Sequence, residues 1–217
     1  FTARSMLDDQ PLTLTVAGRP WTPRNYRDHY EGRVTVRRAL EQSLNSATVR
    51  LALAVGLPRV VETAHALGIE EDMAPVPALA LGAFEVTPLS LARAYLPLAA
   101  DGSRPASHPA VRKAYEADGE PIDTRGGTAV QVITPAEAYL MTALLEGVIT
   151  SGTGSLARPL TRLASVAGKT GTTNAGRDAW FAGVTADFAA AVWIGHDDMR
   201  VPMSPGKAGG AVAAPAW

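Results

Sequence analysis

The spacing of apolar and polar residues changes several times along the chain, and each change marks a different kind of element. "LTLTVAGRPWTPRNY" alternates apolar and polar positions, turns at Ala17-Gly18 and then meets Pro20 and Pro23. A period of two, broken by glycine and proline, predicts short strands and turns over residues 1–33. From Val34 the period lengthens. Val36, Ala39, Leu40 and Ser43 fall at i, i+3, i+4 and i+7, which is one face of a helix. "ATVRLALAVG", from Ala47, predicts a second helix stopped by Gly56. "PRVVETAHALG" predicts a third, with Pro58 at its first position and Gly68 at its end, the asymmetry that helix termini favour. "SLNS", Ser43 to Ser46, lies between the first two and is too short and too polar for anything but a tight connection.

Two later helices carry start signals of their own. "TPLSLARAYLPLAADG" opens with Thr87 as cap and Pro88 in the first turn, and Pro97 predicts a kink or an end. "TPAEAYLMTALLEGVI" opens with Thr134-Pro135 and places Glu137 three residues after the cap, a capping box. Residues 102–128 between them are rich in Gly, Pro, Asp and Ser, and "YEADGEPI" predicts a peripheral hairpin turning at Asp118-Gly119. "RLASVAGKTG", "DAWFAGVT" and "FAAAVWIG" are apolar runs separated by "TTNAGR" and "ADF", which predicts three consecutive antiparallel strands. The expected class is α/β of the α+β kind, an antiparallel sheet flanked by helices. The chain opens on Phe1 in mid-pattern, and "PMSPGKAGGAVAAPAW" ends it without a capping signal. Residues 1–217 are therefore expected to be part of one domain, incomplete at both ends.

Composition narrows the partners. With 217 residues, 47% of them apolar, the chain can bury a sizeable core. Lys plus Arg number 20 against 21 Asp plus Glu, a net charge of -1, with no basic stripe of the kind a phosphate backbone selects, so nucleic acid is excluded as a partner. The absence of cysteine excludes disulfides, thiol catalysis and thiolate metal sites. No run approaches the roughly 20 apolar residues of a membrane span, and no signal peptide is visible at the start.

"SVAGKTGTTN", Ser165 to Asn174, holds the candidate chemistry. Its Gly-Lys-Thr resembles a phosphate loop, but that template needs glycine six positions before the lysine and a helix directly after it. Position 163 is Leu, and Gly171, Thr172, Thr173, Asn174 and Gly176 stand where the helix should begin. A Lys-Thr-Gly on a strand and an ordinary turn are left. On a sheet edge, the Lys169 ammonium and Thr170 hydroxyl can anchor a carboxylate, and Gly171 lets substrate backbone approach. The Ser43 hydroxyl and the Asn45 amide, held by a short loop across a cleft, can relay a proton and hold an amide. Other candidates carry less. His196-Asp197-Asp198 lacks a distant ligand set and is expected to be a solvated loop, His65 has no partner at i+4, and Trp180, Trp193 and Trp217 are expected in the core.

Ser43-Leu44-Asn45 and, far downstream, Lys169-Thr170-Gly171 are two of the three signatures of serine acyl-transferases that react with penicillin. Together with "ALEQSLNSATVRLALAVGLP", "PVPALALGAFEVTPLSLARAY", "ITSGTGSLAR" and "VAGKTGTTNAGRDAWFAG" in order, they make the chain resemble the C-terminal part of the transpeptidase domain of class A penicillin-binding proteins, of the 1B type. The resemblance implies a penicillin-binding/β-lactamase-like fold and a D,D-transpeptidase that cross-links peptidoglycan stem peptides through a serine acyl-enzyme. It implies no metal or organic cofactor. Ser43 would relay a proton and Asn45 would bind the substrate amide. Lys169, Thr170, Gly171 and Thr172 would form the Lys-Thr-Gly-Thr strand, with both threonine hydroxyls offered to the carboxylate of a stem peptide or a β-lactam. The N–H of Thr172 would supply half of an oxyanion hole, and Ser151 to Gly154 would shape the cleft. The implied parent is anchored in the cytoplasmic membrane, with this domain periplasmic or extracytoplasmic beside a glycosyltransferase domain of the same chain.

One signature has no counterpart. In the family the nucleophile is the serine of a Ser-x-x-Lys helical turn well upstream of the Ser-x-Asn loop, and none of the 42 residues before Ser43 matches it. Ser204-Pro205-Gly206-Lys207 has the spacing, but Pro and Gly oppose a helix interior, and it follows the Lys-Thr-Gly strand. The attacking serine is thus expected outside this chain, which is expected to be inactive in isolation. The alternatives are a D,D-carboxypeptidase or β-lactamase-like hydrolase, and a sensor module that binds β-lactam or peptidoglycan without turnover. Against a β-lactamase, the loop reads Ser-Leu-Asn where those enzymes commonly have Ser-Asp-Asn.

Overall fold

Local signals set where each element starts and stops, and the tertiary arrangement follows from which faces they leave apolar. The computed structural model describes residues 1–106, 114–122, 128–173, 176–198, 200–204 and 206–217. Residues 107–113 and 123–127 of the expected peripheral stretch, together with Asn174 and Pro205, lie outside the described residues. The chain opens with β1 (Met6–Asp9), a hairpin of β2 (Leu14–Val16) and β3 (Arg19–Trp21), and β4 (Gly32–Thr35), which returns to pair antiparallel with β1. Ala17 and Gly18 both have positive φ, 49° and 75°, the twist a two-residue hairpin turn requires.

Helix α1 (Val36–Gln42) begins where the Thr35 hydroxyl accepts the Arg38 N–H at 3.1 Å. It is followed closely by α2 (Asn45–Val55) and α3 (Leu57–Leu67), and then by α4 (Pro88–Ala99), capped by Thr87. Pro97 ends α4 within one turn, and its carbonyl accepts from the Gly102 N–H at 2.7 Å. The segment after α4 forms the short strands β5 (Ser103–Arg104), β6 (Ala114–Tyr115), β7 (Pro121–Ile122) and β8 (Val130–Gln131), with β6 and β7 as the expected hairpin. Helix α5 (Pro135–Ser151) starts with the full capping box: the Thr134 hydroxyl accepts from Glu137 N–H at 3.2 Å, and the Glu137 carboxylate accepts from Thr134 N–H at 2.8 Å. A 3-10 segment (Ser155–Arg162) leads into β9 (Ala167–Thr172), β10 (Asp178–Val184) and β11 (Ala189–Gly195). A π turn (Gly209–Ala213) and α6 (Ala214–Ala216) close the chain, elements its sequence does not signal.

The main sheet runs β11-β10-β9, all antiparallel, with β9 at an edge. Its register places Ala167, Lys169 and Gly171 on one face with Trp180, Ala182 and Val184, and Thr170 and Thr172 on the other with Ala179 and Phe181. The first face buries Ala167 and Val184 against Leu145 and Val148 of α5, with Tyr95 and Leu98 of α4 beside them. The second buries Ala179 and Phe181 against Ile149, Ala157, Ala213 and Ala214, and Trp217 meets Phe181 edge-on at 5.4 Å. A separate cluster of Leu7, Val34, Ala39, Leu44 and Ala47 lies under the corner between α1 and α2. This is the antiparallel sheet with helices on its faces that the periodicity predicts. Trp180, Trp193 and Trp217 are half-buried packing residues, and the indole N–H of Trp193 donates to Asp178 at 2.9 Å.

Candidate active site

Helix α5 connects the α1–α2 corner to β9. It is apolar nearly all round, which suits a helix with neighbours on more than one side. Its Gly147 lies against the Glu41 side chain of α1, and any side chain there would overlap that carboxylate. Glycine in a helix interior costs about 1 kcal/mol relative to alanine, and here it leaves room for the Glu41 side chain. Beyond it, the Gln42 amide donates to the Ser151 carbonyl at 2.9 Å, and the Thr153 N–H donates to the Glu41 carbonyl at 3.1 Å. The last turn of α1 is thereby tied to the end of α5, which itself lies against β9. Ser43, the first residue past α1, is brought to the strand, where the Lys169 ammonium donates to its Oγ at 2.9 Å and to the Thr170 carbonyl at 2.9 Å.

Ser43 is held in an unusual conformation. Its φ and ψ of 56° and 47° are left-handed, its N–H donates to the Leu40 carbonyl at 3.2 Å, and the Leu44 N–H donates to the Ala39 carbonyl at 2.9 Å. This is the Schellman ending of a helix, in which the left-handed position is usually glycine. Here it carries a hydroxyl aimed at a lysine. Burial lowers the pKa of Lys169 to about 8, because desolvation disfavours its charged form. An amine that titrates near neutrality and touches a serine hydroxyl can deliver a proton through that hydroxyl and recover it.

Strand β9 offers its outer edge. Thr173 N–H donates to the Asp178 carbonyl at 3.2 Å, so the antiparallel alternation turns the backbone groups of Thr172 and Thr170 away from β10. No partner for the Thr172 N–H is found among the described residues. The Thr170 and Thr153 hydroxyl oxygens are 2.6 Å apart, and the Thr172 hydroxyl accepts the Gly209 N–H at 2.9 Å. Having accepted, the Thr172 hydroxyl keeps its own hydrogen to donate. Gly171 sits opposite Trp180, where an added Cβ would lie 3.2 Å from the Trp180 Cβ. Asn45 opens α2, and its amide donates to the Arg24 carbonyl at 2.7 Å.

Ser43 and Lys169 are therefore in direct contact, Thr170, Gly171 and Thr172 lie in sequence along the β9 edge, and Asn45 is oriented by a loop the sequence did not associate with it. Thr153 and Gly209 were also missed as partners of the two threonines. The Gly209-Gly210 doublet was the available signal, because a side chain at Gly209 would overlap the Gly171 and Trp180 carbonyls. His196, Asp197 and Asp198 are exposed, and Asp198 pairs with Arg200 at 2.9 Å. No cluster of His, Cys, Asp and Glu that could hold a metal occurs among the described residues. Ser204 and Lys207 line an open hollow, and Gly206 between them has a φ of 84°, which does not belong to a helical turn.

A family model for the penicillin-binding protein transpeptidase domain matches residues 2–216. The chain is 38% identical, over its whole length, to penicillin-binding protein 1A of Neisseria cinerea, of which it spans 28%. It is 36% identical, over 96% of its length, to penicillin-binding protein 1B of Vibrio cholerae, of which it spans 27%. Its fold superposes on the crystal structure of penicillin-binding protein 1A from Haemophilus influenzae with a TM-score of 0.88 at 28% identity, covering all of this chain and 38% of that one. PonA1 of Mycobacterium tuberculosis in complex with penicillin V gives a TM-score of 0.82 at 28% identity, covering all of this chain and 62% of that one. No helix among the described residues is long and apolar enough to cross a membrane.

Proposed function

Since the chain belongs to the penicillin-binding protein transpeptidase family, we propose that it supplies the proton-relay corner and the substrate-binding strand of a serine D,D-transpeptidase. The contact between Lys169 Nζ and Ser43 Oγ at 2.9 Å carries this reading. In the reaction, a serine attacks the carbonyl of the D-Ala-D-Ala amide of one stem peptide. The amide nitrogen takes a proton through Ser43 and leaves as D-Ala, and the amine of a neighbouring stem peptide then displaces the serine from the ester. Lys169 in its ammonium form replenishes the Ser43 proton and recovers one as the attacking serine and then the incoming amine give up theirs, and its positive charge faces the carboxylate, which Thr170 and Thr172 bind through their hydroxyls. Gly171 admits the substrate backbone. The Thr172 N–H, on the free edge, stabilises the oxyanion as the tetrahedral centre forms. Asn45 keeps one amide hydrogen and its oxygen for the substrate amide.

The attacking serine belongs to a segment preceding residue 1 in the same domain, and the whole protein pairs this domain with a glycosyltransferase outside the cytoplasmic membrane. The resemblance to class A penicillin-binding proteins supports both, and the chain spans only 28% of the Neisseria cinerea relative. Intact-mass measurement after incubation with benzylpenicillin tests the reading, on residues 1–217 and on a chain extended upstream through the whole domain. A single penicillin adduct is expected on the extended chain and none on residues 1–217. An adduct on the shorter chain overturns the upstream placement of the nucleophile, and no adduct on the extended chain overturns the transpeptidase reading itself.

A further inference from the structure

Asp9 is fully buried at the end of β1, and its hydrogen-bond partners among the described residues are neutral. Its carboxylate accepts from the Asn25 amide at 2.8 and 2.9 Å, and from the Glu31 N–H at 2.9 Å. A carboxylate buried beside neutral donors is a costly group to retain, so what it organises is informative. Asn25 is itself buried, and each end of its amide has a defined task. The nitrogen donates to Asp9 and to the His29 carbonyl at 2.9 Å, and the oxygen accepts the Ser46 N–H at 3.1 Å. An ionised carboxylate is acceptor-only, so it permits one of the two amide orientations and forbids the other.

That orientation matters because α2 lacks a cap of its own. The residue preceding it, Leu44, has no side-chain oxygen, and the Ser46 N–H at the start of the helix is satisfied from a distance by Asn25. The chain neighbours of the buried pair grip the same turn. The Gln10 carbonyl accepts from the Ser46 hydroxyl, and the Arg24 carbonyl accepts from the Asn45 amide at 2.7 Å. Residues 9–10 and 24–25 thus hold the first two residues of α2, directly after Ser43 and Leu44.

We infer that Asp9 and Asn25 are positioning residues for the Ser43–Asn45 corner: Asp9 fixes the Asn25 amide, Asn25 caps α2, and the capped turn sets where Asn45 and Ser43 present their polar groups. The inference rests on the functional reading above. With Asp9→Asn, the new amide nitrogen faces the Asn25 nitrogen in either orientation, because that nitrogen lies against both carboxylate oxygens, and in one orientation it faces the Glu31 N–H as well. To relieve that contact Asn25 turns its oxygen toward residue 9 and its nitrogen toward the Ser46 N–H, so the cap is lost.

The test uses the extended chain that carries the penicillin-reactive serine, with the acylation rate constant at saturating benzylpenicillin measured separately from half-saturation. Asp9→Asn is expected to lower the rate constant about ten-fold or more, since small displacements of proton-transfer groups cost rate heavily, while half-saturation changes less. The exchanged pair Asp9→Asn/Asn25→Asp again sets a carboxylate against an amide and is expected to recover part of the rate. It also decides the matter if Asp9→Asn alone fails to fold. An Asp9→Asn rate within about two-fold of wild type, or an exchanged pair no faster than Asn25→Ala, overturns the positioning role while leaving the transpeptidase reading intact. A wild-type extended chain that takes no penicillin overturns that reading, and the inference with it.

Discussion

Ser43 stands where a helix ordinarily ends in glycine, and that makes its hydroxyl separable from its backbone. Ser43→Gly and Ser43→Ala both remove the contact with Lys169, but only glycine relieves the left-handed φ of 56°. Glycine is therefore expected to be the more stable of the two by about 1 kcal/mol, the reverse of the order inside a helix, read as a higher urea midpoint at unchanged slope. Lys169 gives a second residue-scale prediction. Its pKa is about 8 in the folded chain against 10.5 for the ordinary side chain, so between those values the unfolded state holds more protons. The burial penalty is fully present below pH 8 and disappears as pH rises to 10.5. Wild-type stability relative to Lys169→Met is expected to rise across that window, by about 3 kcal/mol at most; a pH-independent difference would show that burial does not depress this lysine. Ser43, Asn45 and Lys169 were legible in the sequence because each belongs to a short ordered pattern. The partners that hold this corner were not, since Arg24 and Asn25 reach Asn45 and Ser46 through tertiary contacts that leave no periodic trace.

Among the elements, α5 contributes most to assembly of the site, because it touches both α1 and β9. Its start was readable from Thr134-Pro135 and Glu137, and the capping box is present as expected. Thr134→Ala is expected to cost about 1 kcal/mol, measured as a lower urea midpoint, and Thr134→Ser to cost little. The three strands followed from their period, the start of α4 at Pro88 from its Thr87 cap, and the start of α3 from Pro58, although that helix begins one residue earlier, at Leu57. The C-terminal π turn and α6 did not. Their glycines and alanines have no apolar rhythm, and they take their conformation from close packing on Phe181 and Ala179, which a one-dimensional pattern does not record.

At the scale of the molecule, the apolar surface is unevenly covered. Tyr139 and Leu140 on α5 are 73% and 58% exposed, and Leu89 on α4 is 59% exposed. Neighbouring exposed apolar side chains mark surfaces that bind other apolar groups. Residues 1–217 are expected to bind a hydrophobic fluorescent dye, and Tyr139→Lys/Leu140→Lys to reduce that fluorescence without changing the far-ultraviolet circular dichroism. Fluorescence unchanged by the pair would place the binding elsewhere. The contact between Ser43 and Lys169 spans 126 residues of chain and passes through α5. A partial opening that slides α5 by a few ångströms would part hydroxyl from ammonium while every helix and strand stays hydrogen-bonded, since local openings cost less than global unfolding. Penicillin acylation of the upstream-extended chain is therefore expected to fail at a lower temperature than its secondary structure does, and that early loss is expected to reverse on cooling.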